Sequence, residues 1–134
     1  EEFYHELATN PNHPQTSQPT PGDFRRQYQY LQSHYDSIIS IHIPKLVSGT
    51  YQCAKTASNN FNNVDLVDSF SASAGQGLIV MYASELANKG LGKDAVLEGI
   101  EHIISKTSII LLYQKSIQSN EKTKLDIKLL QLVS

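Results

Sequence analysis

The sequence is poor in cysteine, in charge and in long apolar runs. Its one cysteine, Cys53, cannot close a disulfide within the chain. That fits a reducing compartment, and a cytoplasmic protein is the expectation. Charged residues make up 18% of the chain, and the formal net charge is −2. Lys and Arg are scattered with no basic run, so nucleic acid finds no electrostatic footprint. The apolar "SIILLY" at 108–113 has the length of a strand, well below the roughly 20 residues a membrane helix needs. No signal-peptide pattern is visible. The five histidines, His5, His13, His34, His42 and His102, show no HxH or HExxH spacing, which argues against a metal site. There is no G-x-x-x-x-G-K-[ST] phosphate loop and no G-x-S-x-G elbow. Internal repeats and low-complexity tracts are also absent.

What is present suits one globular domain. The 134 residues are 40% hydrophobic, enough for a core but too few for two large domains. The opening "EEFYHEL" reads as a helix already under way, so a processed or truncated chain is expected. Phe3 and Leu7 lie four apart on one face of that short helix. A loop rich in Pro and Asn follows. Thr20, Pro21 and Asp23 then form a helix start: an N-cap, a proline at the first position and an acid three after the cap. Phe24, Tyr28, Leu31 and Tyr35 make a stripe at helical spacing, the usual mark of a core face. The β-branched "SIISIHI" at 37–43 reads as a strand, and so does 64–68. Between them a helix presents Tyr51, Ala54, Ser58 and Phe61 on one face, with Ser48 as its candidate N-cap. Two more helices follow. The first ends at Gly90, and the second carries Val96, Ile100, Ile103 and Ile104. "SIILLY" is a third strand, while residues 114–134 carry no assignable element. Helix and strand thus alternate from about Pro21 to Tyr113, which predicts an α/β layer fold with a parallel sheet.

In open α/β sheets, ligands bind beyond the carboxyl ends of the strands. Two loops leave such ends and open helices: "PKLVSGTYQ" and "DSFSASAGQG". Both offer hydroxyls and Gly where unpaired N–H groups and the helix dipole favour an anion. Gly49 would let a ligand approach the backbone. Most serines at such places simply cap, and that is the commoner role for Ser48, Ser69, Ser71 and Ser73. Thr16 and Ser17 more often satisfy nearby backbone. His42 with Ser48 and Asp68 can be drawn as a triad, although chance puts such residues together on strand ends. His42 is expected half-buried on its strand, and Cys53 is expected as a small core residue.

Three segments together resemble the DegV family of bacterial fatty-acid-binding proteins. They are "TSQPTPGDF" at 16–24, "IISIHI" followed by "SGTYQCA" at 48–54, and "VDLVDSFSASAGQGL" at 64–78. The resemblance covers residues 1 to about 110. It implies a parallel-sheet α/β lobe of a two-lobed fold, with the second lobe missing or divergent. Residues 1–106 would be that lobe. Residues 107–134 would be a strand and a divergent C-terminal segment, the truncated start of a second lobe. It implies a carrier, not an enzyme, that binds one long-chain fatty acid and needs no cofactor. The carrier presents the carboxylate to a separate ATP-binding kinase subunit, which makes the acyl phosphate. Thr16 of TSQP and Ser48 of SGT match the family's carboxylate-binding hydroxyls, with Ser17, Gly49 and Thr50 in support. A carboxylate in an apolar pocket is costly unless it accepts hydrogen bonds, and uncharged hydroxyls supply them.

The departures are specific. The family's first strand, with its Asp-Ser segment, would precede Glu1. After "SIILLY" the family continues with a Gly-Gly-Arg turn and later a His, whereas residues 114–134 hold neither Gly nor Arg. An incomplete sheet edge would favour association into a homo-oligomer. Other readings stay open. The chain could be an α/β domain that binds a phosphorylated metabolite or nucleotide at the same helix starts. It could be a hydrolase using Ser48, or a folded fragment without a function.

Overall fold

"IISIH" and "VDLVD" carry apolar residues at both odd and even positions, so each strand has two faces to bury. The computed structural model of the chain describes residues 2–12, 15–114 and 127–132. Its elements are α1 (Glu2–Thr9), α2 (Pro21–Gln32), β1 (Ile38–His42), α3 (Thr50–Ser58), β2 (Val64–Asp68), α4 (Ser73–Asn88), α5 (Lys93–Lys106), β3 (Ile109–Gln114) and β4 (Ile127–Leu132). β1 and β2 pair in parallel, with Ile38 opposite Val64 and His42 opposite Asp68. The α/β fold with a small parallel sheet is therefore as the sequence predicts.

Side-chain alternation sorts the helices into two layers. Ile38, Val64 and Leu66 face α2 and α3, where they meet Tyr28, Ala57, Phe24, Leu31 and Phe61. Ile39, Ile41 and Val67 face α4 and α5, against Ile79, Ala83, Val96, Ile100 and Ile104. The sheet is thus sandwiched, with a separate apolar cluster on each side. α4 ends as the sequence suggests, with Gly90 in the left-handed region at φ 80°. The α4–α5 hairpin closes tightly at Gly99, where a Cβ would lie 2.3 Å from Leu86 Cδ1.

α2 starts as its capping box requires. Thr20 Oγ1 accepts from the Asp23 N–H at 3.2 Å, and the Thr20 N–H donates to Asp23 Oδ2 at 2.8 Å. The Thr20 hydroxyl, donating to Asp23 Oδ2 at 2.7 Å, and the Thr20 N–H, with Arg26 beside them, hold the Asp23 carboxyl below its ordinary value. The α2 stripe is shorter than its spacing suggests. The helix stops at Gln32, so Tyr35 leaves the stripe and is 61% exposed.

Two departures concern the C-terminal part. "SIILLY" forms a strand but does not join β1 and β2. β3 pairs antiparallel with β4, Ile109 opposite Leu132 and Gln114 opposite Ile127, in a second two-stranded sheet. β4 also supplies an element inside 114–134 that periodicity leaves unassigned. A strand that pairs with a distant partner after a polar stretch gives no local signal. His13 and residues 115–126 lie outside the described residues, as does the side chain of Leu7, read on one helix face with Phe3.

Candidate functional site

The parallel pairing brings the carboxyl ends of β1 and β2 together. The Ser69 N–H donates to the His42 carbonyl at 3.0 Å, so the two loops leave the sheet side by side. Asp68 ties them further. Its Oδ2 accepts from the Lys45 N–H at 3.3 Å, and its Oδ1 from the Phe70 N–H at 3.0 Å. In the second loop Ser69 and Ser71 are buried and serve each other: Ser69 Oγ donates to the Ser71 carbonyl and accepts from the Ser71 N–H. That loop is closed on itself, with Phe70 and Ser73 at φ 48° and 51°. Gln76 then anchors α4 by donating to the Ile41 carbonyl at 3.1 Å.

The first loop is different. Ser48 is not the N-cap of α3; Gly49 is, one residue later, and it has no side chain with which to cap. Ser48 Oγ instead accepts from the Thr50 N–H at 3.2 Å and stands 2.8 Å from Thr50 Oγ1. The two hydroxyls carry two protons, and one is used between them. Whichever way it points, the other O–H remains to donate outward. The helix also leaves its first-turn amides, those of Tyr51 and Gln52, without acceptors in the helix itself. An uncharged group of donors therefore gathers at the α3 start, where the helix dipole favours an anion.

The TSQP segment reaches this point through Gln18. A Cβ on Gly49 would fall 2.3 Å from Gln18 Oε1 and 2.6 Å from Nε2, so the carboxamide fills the space over Gly49. Gln18 Nε2 also donates to Cys53 Sγ at 3.2 Å. Gly49 thus accommodates the neighbouring segment where sequence reasoning reserved the space for a ligand. Gln18 is the residue that reasoning missed. The signal was a glycine at a helix start, which implies a close approach without naming what approaches. Thr16 and Ser17, two and one residues before Gln18, are exposed. Cys53 is half-buried as part of this contact.

His42 lies behind the site, more deeply than half-buried at 7% exposure. Its Nε2 is 2.8 Å from Ser40 Oγ, so it engages Ser40 and not Ser48, and the drawn triad does not assemble. Burial pushes the imidazole below its ordinary value of 6.5, and the Asp68 carboxylate pulls weakly the other way. Because the unfolded chain binds this proton more readily, the contribution of His42 is complete above pH 6.5 and is lost as pH falls from there toward the folded value. His42→Gln is expected to reduce this acid-side loss, read by urea denaturation across that window. An unchanged slope would show that another group carries it. Among the described residues, no group of three His, Cys, Asp or Glu side chains could hold a metal ion. No helix among them is long and apolar enough to cross a membrane.

Comparison with known proteins matches residues 1–116 to the family described as uncharacterised proteins of the DegV family. The chain belongs to the DegV family. The DegV domain-containing protein YejH of Lactococcus lactis is 34% identical over 112 residues, which are 83% of this chain and 40% of that protein. A DegV family protein of Thermus thermophilus, described for its fatty acid binding, superposes with a TM-score of 0.77 at 33% identity, over 86% of this chain and 41% of that one. DegV of Bacillus subtilis, described as a fatty acid binding protein, gives 0.73 at 30% identity, over 85% and 41%. The chain spans about 40% of the length of these relatives.

Proposed function

We propose that this chain binds a long-chain fatty acid and holds its carboxylate on the hydroxyls of Thr16 and Ser48, with Ser17, Gly49 and Thr50 in support. The observation that carries the reading is the Ser48–Thr50 hydroxyl pair at the uncapped start of α3, with the TSQP segment packed onto that start through Gln18. The fatty acid binding described for the Thermus and Bacillus relatives supports the choice of ligand. In this reading the chain is a cytoplasmic carrier with no catalysis of its own. An uncharged cradle leaves a carboxylate oxygen nucleophilic enough to attack the γ-phosphate of ATP on a separate kinase subunit. Association of copies through an outer edge of the β1–β2 pair belongs to the same reading.

Calorimetric titration of the 134-residue chain with palmitate tests the binding step. Saturable binding is expected, with no competition from glycerol phosphate. Displacement by the phosphate ester would favour a phosphorylated metabolite, and labelling of Ser48 by a fluorophosphonate would favour a hydrolase. Adding a fatty acid kinase subunit and ATP should yield acyl phosphate; none would overturn the presentation step. Gly49→Ala sharpens the site. The new methyl displaces the mobile end of Gln18 but fits the helical backbone at φ −72°. Palmitate affinity should fall several-fold while the unfolding midpoint barely moves. Parallel losses of both would mean that the contact is only structural.

A further inference from the structure

A chain of buried polar side chains behind the α3 start has no part in the carboxylate reading so far. Tyr28 is 2% exposed, and its hydroxyl stands 2.9 Å from Ser40 Oγ. Ser40 Oγ in turn stands 2.8 Å from His42 Nε2. The His42 ring meets the edges of Phe24, at 5.3 Å between centroids, and Tyr51, at 6.1 Å. Tyr51 directly follows Thr50, whose hydroxyl pairs with Ser48. The chain therefore runs from α2, the helix that follows TSQP, through β1 to the first turn of α3.

The protons in this chain can be placed by elimination. With the imidazole proton on Nδ1, Nε2 accepts from Ser40 and Ser40 accepts from Tyr28. Both hydroxyl protons then have acceptors. With a proton on Nε2, Ser40 must accept from His42, and three protons then share the two contacts of the chain. One O–H, of Ser40 or of Tyr28, is left without an acceptor in the chain, which is costly at a place shielded from water. The arrangement selects one neutral tautomer and disfavours the imidazolium.

We propose that Tyr28 and Ser40 are positioning residues that hold His42 as the neutral Nδ1–H tautomer beneath the α3 start, so that protonating His42 loosens the carboxylate site. The second half rests on the Thr16–Ser48 reading above. The titratable groups packed around the ring are Tyr28 from α2, which reaches it through Ser40, Tyr51 from α3, and Asp68 from β2, whose carboxylate also accepts from the Lys45 N–H. Of these, Asp68 favours the proton, and burial of the ring opposes it more strongly. Protonation would act on the ligand through the reversed hydrogen bonds along the chain and the contact of the ring with Tyr51.

Two measurements on the 134-residue chain test this. Long-range proton–nitrogen spectra of ligand-free protein report the His42 tautomer and its titration. The Nδ1–H form is expected, titrating below 6.5. Ser40→Ala removes the partner of Nε2 and should allow a mixture of tautomers, with Tyr28→Phe, which leaves the Ser40–His42 bond, as a second, smaller change. Palmitate affinity is then compared at neutral pH and below the His42 midpoint. The wild-type chain should lose about fivefold more than His42→Gln does. A wild-type Nε2–H tautomer would overturn the brace. Equal pH dependence in wild type and His42→Gln would overturn the coupling. Absence of palmitate binding at any pH would overturn the carboxylate reading and the coupling with it, while the spectra still decide the brace.

Discussion

Ser48→Ala is expected to weaken palmitate binding about 10- to 100-fold, the loss of one hydrogen bond to a charged group. The expectation follows from the proton count at the α3 start. Ser48 and Thr50 share one hydrogen bond at 2.8 Å, and the pair has one O–H left for the ligand. Removing Ser48 Oγ breaks the pair, frees the Thr50 hydroxyl to rotate, and strips the acceptor from the Thr50 N–H. The local fold should survive, because Gly49 and not Ser48 is the N-cap and the Cys53 N–H still bonds the Gly49 carbonyl at 3.0 Å. Stability should therefore fall by no more than about 1 kcal/mol, the worth of an ordinary hydrogen bond. Fluorescence displacement gives the affinity and urea denaturation the stability. Unchanged affinity would remove Ser48 from the site.

Ile100→Ala should act the opposite way, on stability first. Ile100 is fully buried between α4, α5 and the β1–β2 sheet, with Ile79, Ala83, Val96 and Ile104 around it. Truncation loses apolar burial and leaves a cavity, which costs about 3 kcal/mol. That is a large part of the roughly 5–15 kcal/mol that holds a domain folded. Urea denaturation followed by circular dichroism reads it. A loss below about 1 kcal/mol would mean that the α4–α5 layer can collapse around the missing atoms. Palmitate affinity of the folded fraction should hold, because Ile100 packs on the face opposite α2 and α3.

The elements with strong local signals were legible from residues alone. Thr20, Pro21 and Asp23 announced the start of α2, and Gly90 announced the end of α4. β-Branched composition placed β1 to within a residue of its observed bounds, and 64–68 is β2 as read. The partner of β3 was not legible, because antiparallel pairing with β4 is decided by contacts across a polar stretch and not by either strand's own pattern. At the site, composition pointed to the α3 start, but the roles shifted by one residue. The hydroxyl of Ser48 fits any N-cap, while the backbone puts Gly49 in that position and turns Ser48 toward Thr50. Gln18 was hidden for a similar reason. A long flexible amide has no preferred partner in sequence, and only the open space over Gly49 fixes where it goes. The Tyr28–Ser40–His42 chain needs strand and helix brought together, so the tyrosine read simply as core.

Native mass spectrometry of the 134-residue chain as purified from bacterial cells, with organic extraction of whatever it carries, tests the carboxylate site most directly. The wild-type chain should carry one long-chain fatty acid per molecule. The acid should be lost when Thr16→Ala and Ser48→Ala are combined, with the fold retained by circular dichroism. A wild-type chain that carries no acyl ligand and takes up none from added palmitate, or a double variant that stays equally loaded, would contradict the assignment of this site.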